Sequence, residues 1–337
     1  MPTALVTGAT GFVGSNLVAE LRRRDWRVRC LVRNAARGQS LEALGAVLHM
    51  GSLDDVETLA QAATDVDYVF HVAGRVRALS QGEFTADNVD GTRNVVEAAA
   101  LQPKPPVVVF VSSLAAGGPS KPGKPRREID PDQPISDYGR SKLSAERAAA
   151  QLADEVPISI IRPPIIFGPA DKASLAIFRG VKWMRLHPVP GFRTFPVSLV
   201  HVADLCDAMI RIAERGSRVA SKPDDSPDSQ GVYYVAAERT VPYGHLGKLA
   251  AEAIGCKGVA LPLPRSLFWL VGGMAQLYGQ LTGKLQVLNL DKAREAAAPG
   301  WECDDQRLRN ELDYRPALPL QQRFGETADW YRQQGWL

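Results

Sequence analysis

Short apolar runs alternate with amphipathic segments through the first half of the chain. The apolar runs predict buried strands at residues 4–7, 28–32, 46–49, 68–72, 107–111 and 158–161. Between them, apolar residues at helical spacing predict helices at residues 13–24, 53–63, 86–101 and 138–152. This alternation predicts an α/β fold built on a doubly wound parallel sheet with helices on both faces.

Three glycines at three-residue spacing, Gly8, Gly11 and Gly14, follow the first strand and open the first helix. Gly8 suits a tight turn, Gly11 lets a pyrophosphate approach the backbone, and Gly14 permits close contact of helix and strand. The free amides of the helix N-terminus would face the phosphates. The context predicts a Rossmann dinucleotide site contacted by Gly8, Gly11, Phe12, Val13 and Gly14, and a turn without chemistry is the alternative.

A Tyr-x-x-x-Lys pair, Tyr138 and Lys142, lies at the start of the fourth predicted helix. Residues i and i+4 share one face of a helix, so the phenol and the ammonium are expected side by side. A phenol with a pKa of about 10 is a poor acid or base near neutrality. We expect the ammonium, together with an oxidised nicotinamide, to lower that pKa, and Lys142 to bind the nicotinamide ribose.

The glycine turn reads TGATGFVG, Ser-Ser-Leu-Ala-Ala begins at Ser112, and Arg-Pro-Pro-Ile-Ile-Phe-Gly-Pro begins at Arg162. Together with the tyrosine–lysine pair, these motifs resemble those of the extended short-chain dehydrogenase/reductase family, also called the NAD-dependent epimerase/dehydratase superfamily. Within it, the 3β-hydroxysteroid dehydrogenase and dihydroflavonol reductase-like group is the most similar. The resemblance covers nearly the whole chain. It implies that Ser113 orients the substrate oxygen toward Tyr138; Ser112 is the reserve candidate, and plain capping of the strand end is the alternative.

The resemblance implies further contacts at the ends of the strands. Relatives place an aspartate on the adenine where this chain has Ser52. The other cofactor contacts implied are Leu53, Val72, Ala73, Gly74, Pro163 and Ile165, besides Tyr138 and Lys142. Asn88 is expected to support the active site through a helix kink, with a plain exposed polar residue as the alternative. His71 is interpreted as a core or strand-end histidine rather than a catalytic base.

The residue at the end of the second strand indicates whether NADH or NADPH is preferred. An acidic residue there would bind the ribose 2′-hydroxyl and repel a 2′-phosphate. This chain has Arg33 instead, with Arg37 close behind. Because arginine favours a phosphate, NADP is the preferred cofactor; NAD stays open, since a solvated surface arginine would look the same.

Composition narrows the class of protein. A hydrophobic content of 45% and a charged content of 23% fit a soluble globular enzyme. With 40 basic and 37 acidic residues the net charge is +3, which gives no reason to expect nucleic acid. The four cysteines are widely spaced and the five histidines lack metal-ligand spacing, so we expect no metal site. Reduced thiols and no signal peptide ahead of the first strand predict a cytoplasmic protein.

Residues 266–283 contain no charge. Eighteen residues are borderline for a membrane span, and a substrate-lobe helix with a broad apolar face is the simpler interpretation. A weak peripheral membrane contact, or an entrance for an apolar substrate, is the sharper one. Residues 117–136 are expected to form a loop bordering the substrate, with a surface linker as the alternative, and residues 216–231 a solvent loop.

Together these features predict two units. Residues 1–169, with returning segments about 195–236, would bind the dinucleotide, and residues 170–194 and 237–337 would form a smaller, mostly helical substrate lobe. The predicted function is NAD(P)-dependent hydride transfer between nicotinamide and a secondary alcohol or ketone on a steroid-, polyprenoid- or flavonoid-like small molecule. The alternatives are a nucleotide-sugar epimerase or dehydratase that retains NAD, and a non-catalytic NADPH-binding sensor or assembly protein. A homodimer stays open.

Overall fold

The computed structural model describes residues 1–121, 123–192, 194–220, 230–283 and 289–337. Its strands are β1 (Thr3–Thr7), β2 (Arg27–Val32), β3 (Val47–Met50), β4 (Tyr68–His71), β5 (Val107–Val111), β6 (Ile158–Arg162), β7 (Ile165–Phe167), β8 (Leu186–Pro190), β9 (Pro196–Val197), β10 (Leu199–His201), β11 (Val232–Tyr234), β12 (Val241–Pro242) and β13 (Val259–Leu263). Its α-helices are α1 (Phe12–Arg23), α2 (Gln39–Glu42), α3 (Val56–Ala62), α4 (Gln81–Phe84), α5 (Gly91–Ala100), α6 (Leu114–Gly117), α7 (Asp137–Ala150), α8 (Lys172–Arg179), α9 (Val202–Arg215), α10 (His245–Ile254), α11 (Arg265–Thr282), α12 (Leu290–Ala297), α13 (Gln306–Leu312) and α14 (Leu320–Gln333).

A parallel sheet of seven strands, in the order β11-β6-β5-β4-β1-β2-β3, forms the centre of the described chain. This confirms the predicted fold class. The direction of winding reverses between β1 and β4, and ligands of such sheets bind at the carboxyl ends of the strands at that point. β11 was not among the six predicted strands, because three residues are too short for a periodicity to stand out.

Both faces of the sheet are buried, as the near-continuous apolar runs require. Along β1, Ala4 and Val6 point into a cluster that α1 and α9 cover. Leu5 points the other way, into a cluster completed by α3, α5 and α7.

A third apolar cluster holds the C-terminal lobe together. Phe178 of α8, Leu249 of α10 and Phe324 of α14 meet in it. Residues 306–314, which the sequence grouped with this lobe, pack elsewhere: Leu308 and Tyr314 join the cluster under α1 and α9. Within residues 237–337, the segment 306–314 therefore packs with the central sheet domain and not with the C-terminal lobe.

Two predicted helices differ in detail. The one predicted over residues 86–101 begins as a π-helical segment, Thr85–Asp90, before α5. The one predicted over 53–63 starts at Val56, because the Asp55 carboxylate accepts a hydrogen bond from Thr58 N at 3.1 Å and caps it. The loop predicted over 216–231 falls largely outside the described residues.

Candidate functional site

A cavity of about 510 Å³ lies at the switch point between β1 and β4. Its walls are Gly8, Thr10, Leu31, Val32, Arg33, Gly51, Ser52, Leu53, Asp54, Ala73, Gly74, Arg75, Val76, Arg77 and Asp87. The structure thus brings together six of the predicted cofactor contacts, namely Gly8, Arg33, Ser52, Leu53, Ala73 and Gly74. They come from the ends of four adjacent strands.

The glycine turn beside this cavity has no room for side chains. Gly8 has φ of +70°, and a Cβ there would lie 2.6 Å from Ala73 N. A Cβ at Gly14 would lie 2.2 Å from Gly8 O. Gly11 is the N-cap of α1, so the amides of Phe12, Val13 and Gly14 belong to a first turn without intrahelical acceptors. That turn is suited to hold a phosphate.

The sequence analysis did not predict several residues of the larger cavity's wall. Asp54 N donates to Ser52 Oγ at 3.2 Å, so a carboxylate lies two residues beyond the serine that replaces the family's aspartate. Arg75 and Arg77 follow β4 closely, and their place at the carboxyl end of a strand was a usable sequence signal. The remaining unpredicted wall residues are Thr10, Leu31, Val32, Gly51, Val76 and Asp87.

The Ser113 side chain lies near the Tyr138 hydroxyl and lowers its pKa, where the end of β5 meets the start of α7. The Ser113 hydroxyl also accepts a hydrogen bond from Ala115 N at 3.1 Å as the cap of α6. Burial raises the pKa of Tyr138 to about 12, the Ser113 side chain opposes this, and the Glu295 carboxylate adds to it. The phenol is therefore a protonated group with an aligned neighbour.

Lys142 is buried one turn further along α7. Its Nζ donates to Val111 O at 2.7 Å and lies 4.4 Å from the centroid of the Phe110 ring. Burial lowers the pKa of Lys142 to about 8, and the Glu146 carboxylate opposes the shift. A Cβ at Gly74 would lie 3.4 Å from Nζ, which places the ammonium beside the wall of the large cavity.

The expected lowering of the Tyr138 pKa by Lys142 is wrong for the protein without a dinucleotide. Burial dominates the pKa of the phenol, and the ammonium is directed at Val111 O instead. The sequence analysis also expected a positively charged nicotinamide to lower the pKa of Tyr138. That effect would act only when the oxidised dinucleotide is bound.

The reserve serine, Ser112, is committed to a buried ion-pair network. Its hydroxyl donates to Glu146, which also accepts from Arg162 Nε at 2.9 Å. Arg162 in turn donates to both carboxylate oxygens of Asp132, at 2.7 and 3.0 Å. Ser112 therefore anchors α7 against the end of β5, and Ser113 is the serine that lies near the Tyr138 hydroxyl.

His71 is a core histidine, as expected. Thr92 Oγ1 donates to Asn88 O at 2.5 Å, so it accepts from His71 Nε2 at 3.0 Å. The Nδ1 atom of His71 then accepts from Thr7 Oγ1 at 2.7 Å. Burial, with a smaller contribution from Lys142, lowers the pKa of His71 to about 3. The ring is neutral and both nitrogens are engaged.

Asn88 is buried in the π-helical segment, so the exposed-residue alternative is wrong. Its side chain accepts from Arg75 N at 2.7 Å and donates to Arg75 O at 3.0 Å. Asn88 Nδ2 also donates to Ser141 Oγ at 2.9 Å, and Ser141 donates to Tyr138 O at 2.7 Å. Asn88 therefore joins the cavity wall to the helix of Tyr138 and Lys142.

A second cavity, of about 180 Å³, lies at the start of α7, where Asp137 forms part of its wall. Its walls are Ala78, Leu79, Ser80, Gln81, Phe84, Asp137, Ala275, Gln276, Gly279, Gln280, Asn289, Asp291 and Arg294. The ring centroid of Phe84 is 6.2 Å from that of Tyr138. Asp291 accepts from Asp137 N at 2.9 Å and Tyr138 N at 3.0 Å, so a lobe residue adds to the Ser136 cap at the first turn of α7.

Nine predicted cofactor contacts and one predicted loop lie outside the walls of these two cavities, and the contacts are Gly11, Phe12, Val13, Gly14, Val72, Tyr138, Lys142, Pro163 and Ile165. Val72 packs against the core, Pro163 O accepts from Leu114 N at 2.9 Å, and Ile165 begins β7. The described part of residues 117–136 packs instead on residues 300–304, with Arg126 N donating to Glu302 O at 2.9 Å. Its predicted border with the substrate is not seen at either cavity. The residue Pro122 is outside the described residues.

Comparison with known proteins places these features in a family. Residues 4–224 match the model of the NAD dependent epimerase/dehydratase family. The ceramide reductase of Caulobacter vibrioides is 29% identical over 332 residues, covering 98% of this chain and 95% of that protein. A ketoreductase of Stigmatella aurantiaca, named for 4-hydroxy-2-methyl-3-oxo-4-farnesyl-3,4-dihydroquinoline-1-oxide, is 34% identical over 219 residues, covering 63% of this chain and 64% of its own.

Solved structures share the fold. The crystal structure of dTDP-glucose 4,6-dehydratase from Bacillus anthracis in complex with NAD superimposes with a TM-score of 0.76 at 18% identity, covering 100% of this chain and 98% of that one. At this identity the likeness establishes the fold alone.

Proposed function

Because the chain belongs to the NAD-dependent epimerase/dehydratase family, and is an NAD(P)-dependent enzyme of the extended short-chain dehydrogenase/reductase type, we propose that it interconverts a ketone and a secondary alcohol on an apolar small molecule. One observation carries the proposal. Tyr138, close to Ser113, lies on the helix whose first residue, Asp137, lines the smaller cavity, and the Lys142 ammonium lies beside Gly74 in the wall of the larger one.

The larger cavity fits a dinucleotide. Its walls include Gly8 and Thr10, which lead into a helix N-terminal turn that suits a pyrophosphate, and Gly74, which lies beside the Lys142 ammonium. When bound, the nicotinamide supplies or takes the hydride. Ser113 Oγ orients the substrate oxygen, and Tyr138 Oη gives that oxygen a proton in reduction or takes one in oxidation. Lys142, whose ammonium lies beside Gly74, would hydrogen-bond the nicotinamide ribose.

We propose NADP as the preferred cofactor, with NAD as the other outcome. Arg33 is exposed on the cavity wall directly after β2, where an acidic residue would repel a 2′-phosphate. Arg77 adds a second cation to the same wall. Asp54 can accept a hydrogen bond from the adenine amine in place of the family's aspartate.

The smaller cavity is our candidate for the reacting end of the substrate. Gln276, Gln280 and Asn289 give its walls hydrogen-bonding groups, which suits the polar end of an otherwise apolar molecule. The names of two relatives, a ceramide reductase and a farnesyl-bearing quinoline ketoreductase, favour substrates of that kind. We place the dinucleotide on residues 1–169 and about 195–236, and the substrate on 170–194 and 237–337.

The remaining proposals concern partners and compartment. The four cysteines are free, which suits the reducing cytoplasm. Homodimerisation stays a prediction, and so does a peripheral membrane contact through residues 266–283.

The test is a screen of ketones with apolar bodies, followed by the absorbance of NADPH, with NADH in parallel. We expect turnover that is faster with NADPH. Faster turnover with NADH would overturn the argument from Arg33. Turnover of a nucleotide sugar by protein that keeps NAD through dilution would instead favour an epimerase or dehydratase. An Arg33→Asp variant should reverse the cofactor preference, while Arg127→Asp, away from both cavities, should not.

A further inference from the structure

Helix α11 turns its apolar side chains to solvent. Eight large apolar residues of the helix are 38–78% exposed, namely Leu267, Trp269, Leu270, Val271, Met274, Leu277, Tyr278 and Leu281. Most follow the three- and four-residue spacing of a single helix face. The opposite face carries small residues: Gly272 and Gly279 are buried, and a Cβ at Gly272 would lie 3.0 Å from Asn289 O. A surface helix usually buries its apolar face, whereas α11 exposes it to solvent.

The ribbon that leads into α11 continues this apolar surface. Strand β13 pairs in parallel with β8 and runs directly into the helix. Val259 and Leu261 of β13 are exposed, and Phe192 follows β8. Trp183 and Met184, just before β8, are exposed as well, and the Arg179 guanidinium lies 5.5 Å from the Trp183 ring. We call α11 with these ribbon residues the lobe face.

The two sequence ranges that contain the lobe face carry only positively charged side chains. The ranges 172–203 and 253–290, which contain its residues, hold eight basic residues and no acidic one. The basic residues are Lys172, Arg179, Lys182, Arg185, Arg193, Lys257, Arg265 and Lys284. In a chain whose net charge is only +3, this is a strong local asymmetry.

We propose that the lobe face docks on the surface of an anionic lipid bilayer. Exposed leucines and aromatic rings insert at the headgroup boundary, and the surrounding lysines and arginines attract anionic lipid. A second copy of the chain is the poorer occupant, because two faces of the same positive sign repel. No helix in the described residues has the length and hydropathy of a membrane span.

The same helix connects this surface with the smaller cavity. Ala275, Gln276 and Gly279 on the inner side of α11 line that cavity, so a single helix separates it from the proposed lipid surface. Resting on the proposed function, this arrangement lets an apolar substrate pass from the bilayer to Tyr138 around α11. Docking itself does not depend on that step.

The experiment is sedimentation of the full chain with vesicles of phosphatidylcholine alone, and with vesicles that contain about 30% phosphatidylglycerol, a composition with a marked negative surface potential. Leu270→Asp/Leu277→Asp tests the apolar face, with Leu101→Asp/Leu44→Asp as a matched control on exposed leucines elsewhere. Lys182→Glu/Lys257→Glu tests the charge, with Lys104→Glu/Lys121→Glu as its control. Circular dichroism and NADPH binding verify that each variant is folded.

We expect binding to anionic vesicles only, weakened about tenfold or more by each lobe-face variant and unchanged in each control. Because the readout is sedimentation, it is independent of turnover, so failure of the proposed reaction would leave it intact. Equal binding to both kinds of vesicle would overturn the proposal. The absence of vesicle binding would overturn it as well, and a dimer that Leu270→Asp/Leu277→Asp converts to a monomer would then assign the lobe face to a second copy of the chain.

Discussion

Asn88 Nδ2 donates to Ser141 Oγ at 2.9 Å, and this bond joins the π-helical segment before α5 to the middle of α7. Asn88 also holds the backbone of Arg75 on the cavity wall. A single buried amide thus fixes the distance between the dinucleotide cavity and the helix that carries Tyr138.

Asn88→Ala should lower both stability and turnover. It removes the side-chain hydrogen bonds to Arg75 N, Arg75 O and Ser141 Oγ, which costs about 1–3 kcal/mol in the free energy of unfolding. We expect kcat to fall about tenfold or more, because misplacement of α7 disturbs the proton donor. Gln102→Ala removes a side chain that bonds Ala60 O and Ala98 O near the far end of α5, and serves as the control. Urea unfolding and kcat are measured together; an equal loss of kcat in both variants would contradict a positioning role.

Dinucleotide affinity should depend on the charge of Lys142. The pKa of its ammonium is about 8 in the unliganded protein, so the cation is lost as pH rises through that value. Bound phosphates favour the cation and raise the pKa, so we expect NADPH binding to weaken up to about tenfold between pH 7 and 9.5. Fluorescence titration measures the Kd. Lys142→Met should bind more weakly and lose that slope, and an unchanged slope would assign the titration to another group.

The strongest local patterns predicted the fold and the central residues. The glycine turn, the alternating elements and the Tyr138–Lys142 spacing are all written within a few residues of sequence. Asp291, which caps α7, lies more than 150 residues from Tyr138, and the partners of Glu146 come from β6 and from a loop. The periodicity of apolar residues within a short segment cannot predict contacts between residues so far apart in the sequence. The pKa of Tyr138 was misjudged for a related reason, since burial depends on the whole fold.

Acid should destabilise the protein through its buried histidines. Burial lowers the pKa of both His71 and His201 to about 3, below the ordinary value of 6.5. Between these pH values the unfolded chain binds more protons, so the free energy of unfolding is complete above about pH 6.5 and falls as pH drops toward 3. Each histidine contributes up to several kcal/mol, because a tenfold change in a protonation equilibrium corresponds to about 1.4 kcal/mol. Urea unfolding at pH 7 and 5 should give a shallower loss for His71→Gln, and the wild-type loss for exposed His245→Gln.

The ion-pair network behind Ser112 makes a separate prediction about stability. Glu146→Gln leaves the buried Arg162 guanidinium with one carboxylate, and we expect a loss of about 3 kcal/mol in the free energy of unfolding. Asp132→Asn removes the partner that is 26% exposed, so its loss should be about 1 kcal/mol. Urea unfolding of both variants gives the comparison. A larger loss for Asp132→Asn would reverse the assigned order of the two partners.

The central claim is that Tyr138 transfers the proton beside a dinucleotide held at Lys142. Its most direct test is single-turnover oxidation of NADPH by wild type and Tyr138→Phe with a ketone found in the screen, together with the Kd for NADPH. The account predicts a rate at least about 100-fold lower in the variant and a Kd within about threefold of wild type. A Tyr138→Phe protein that binds NADPH and oxidises it at the wild-type rate would contradict the account.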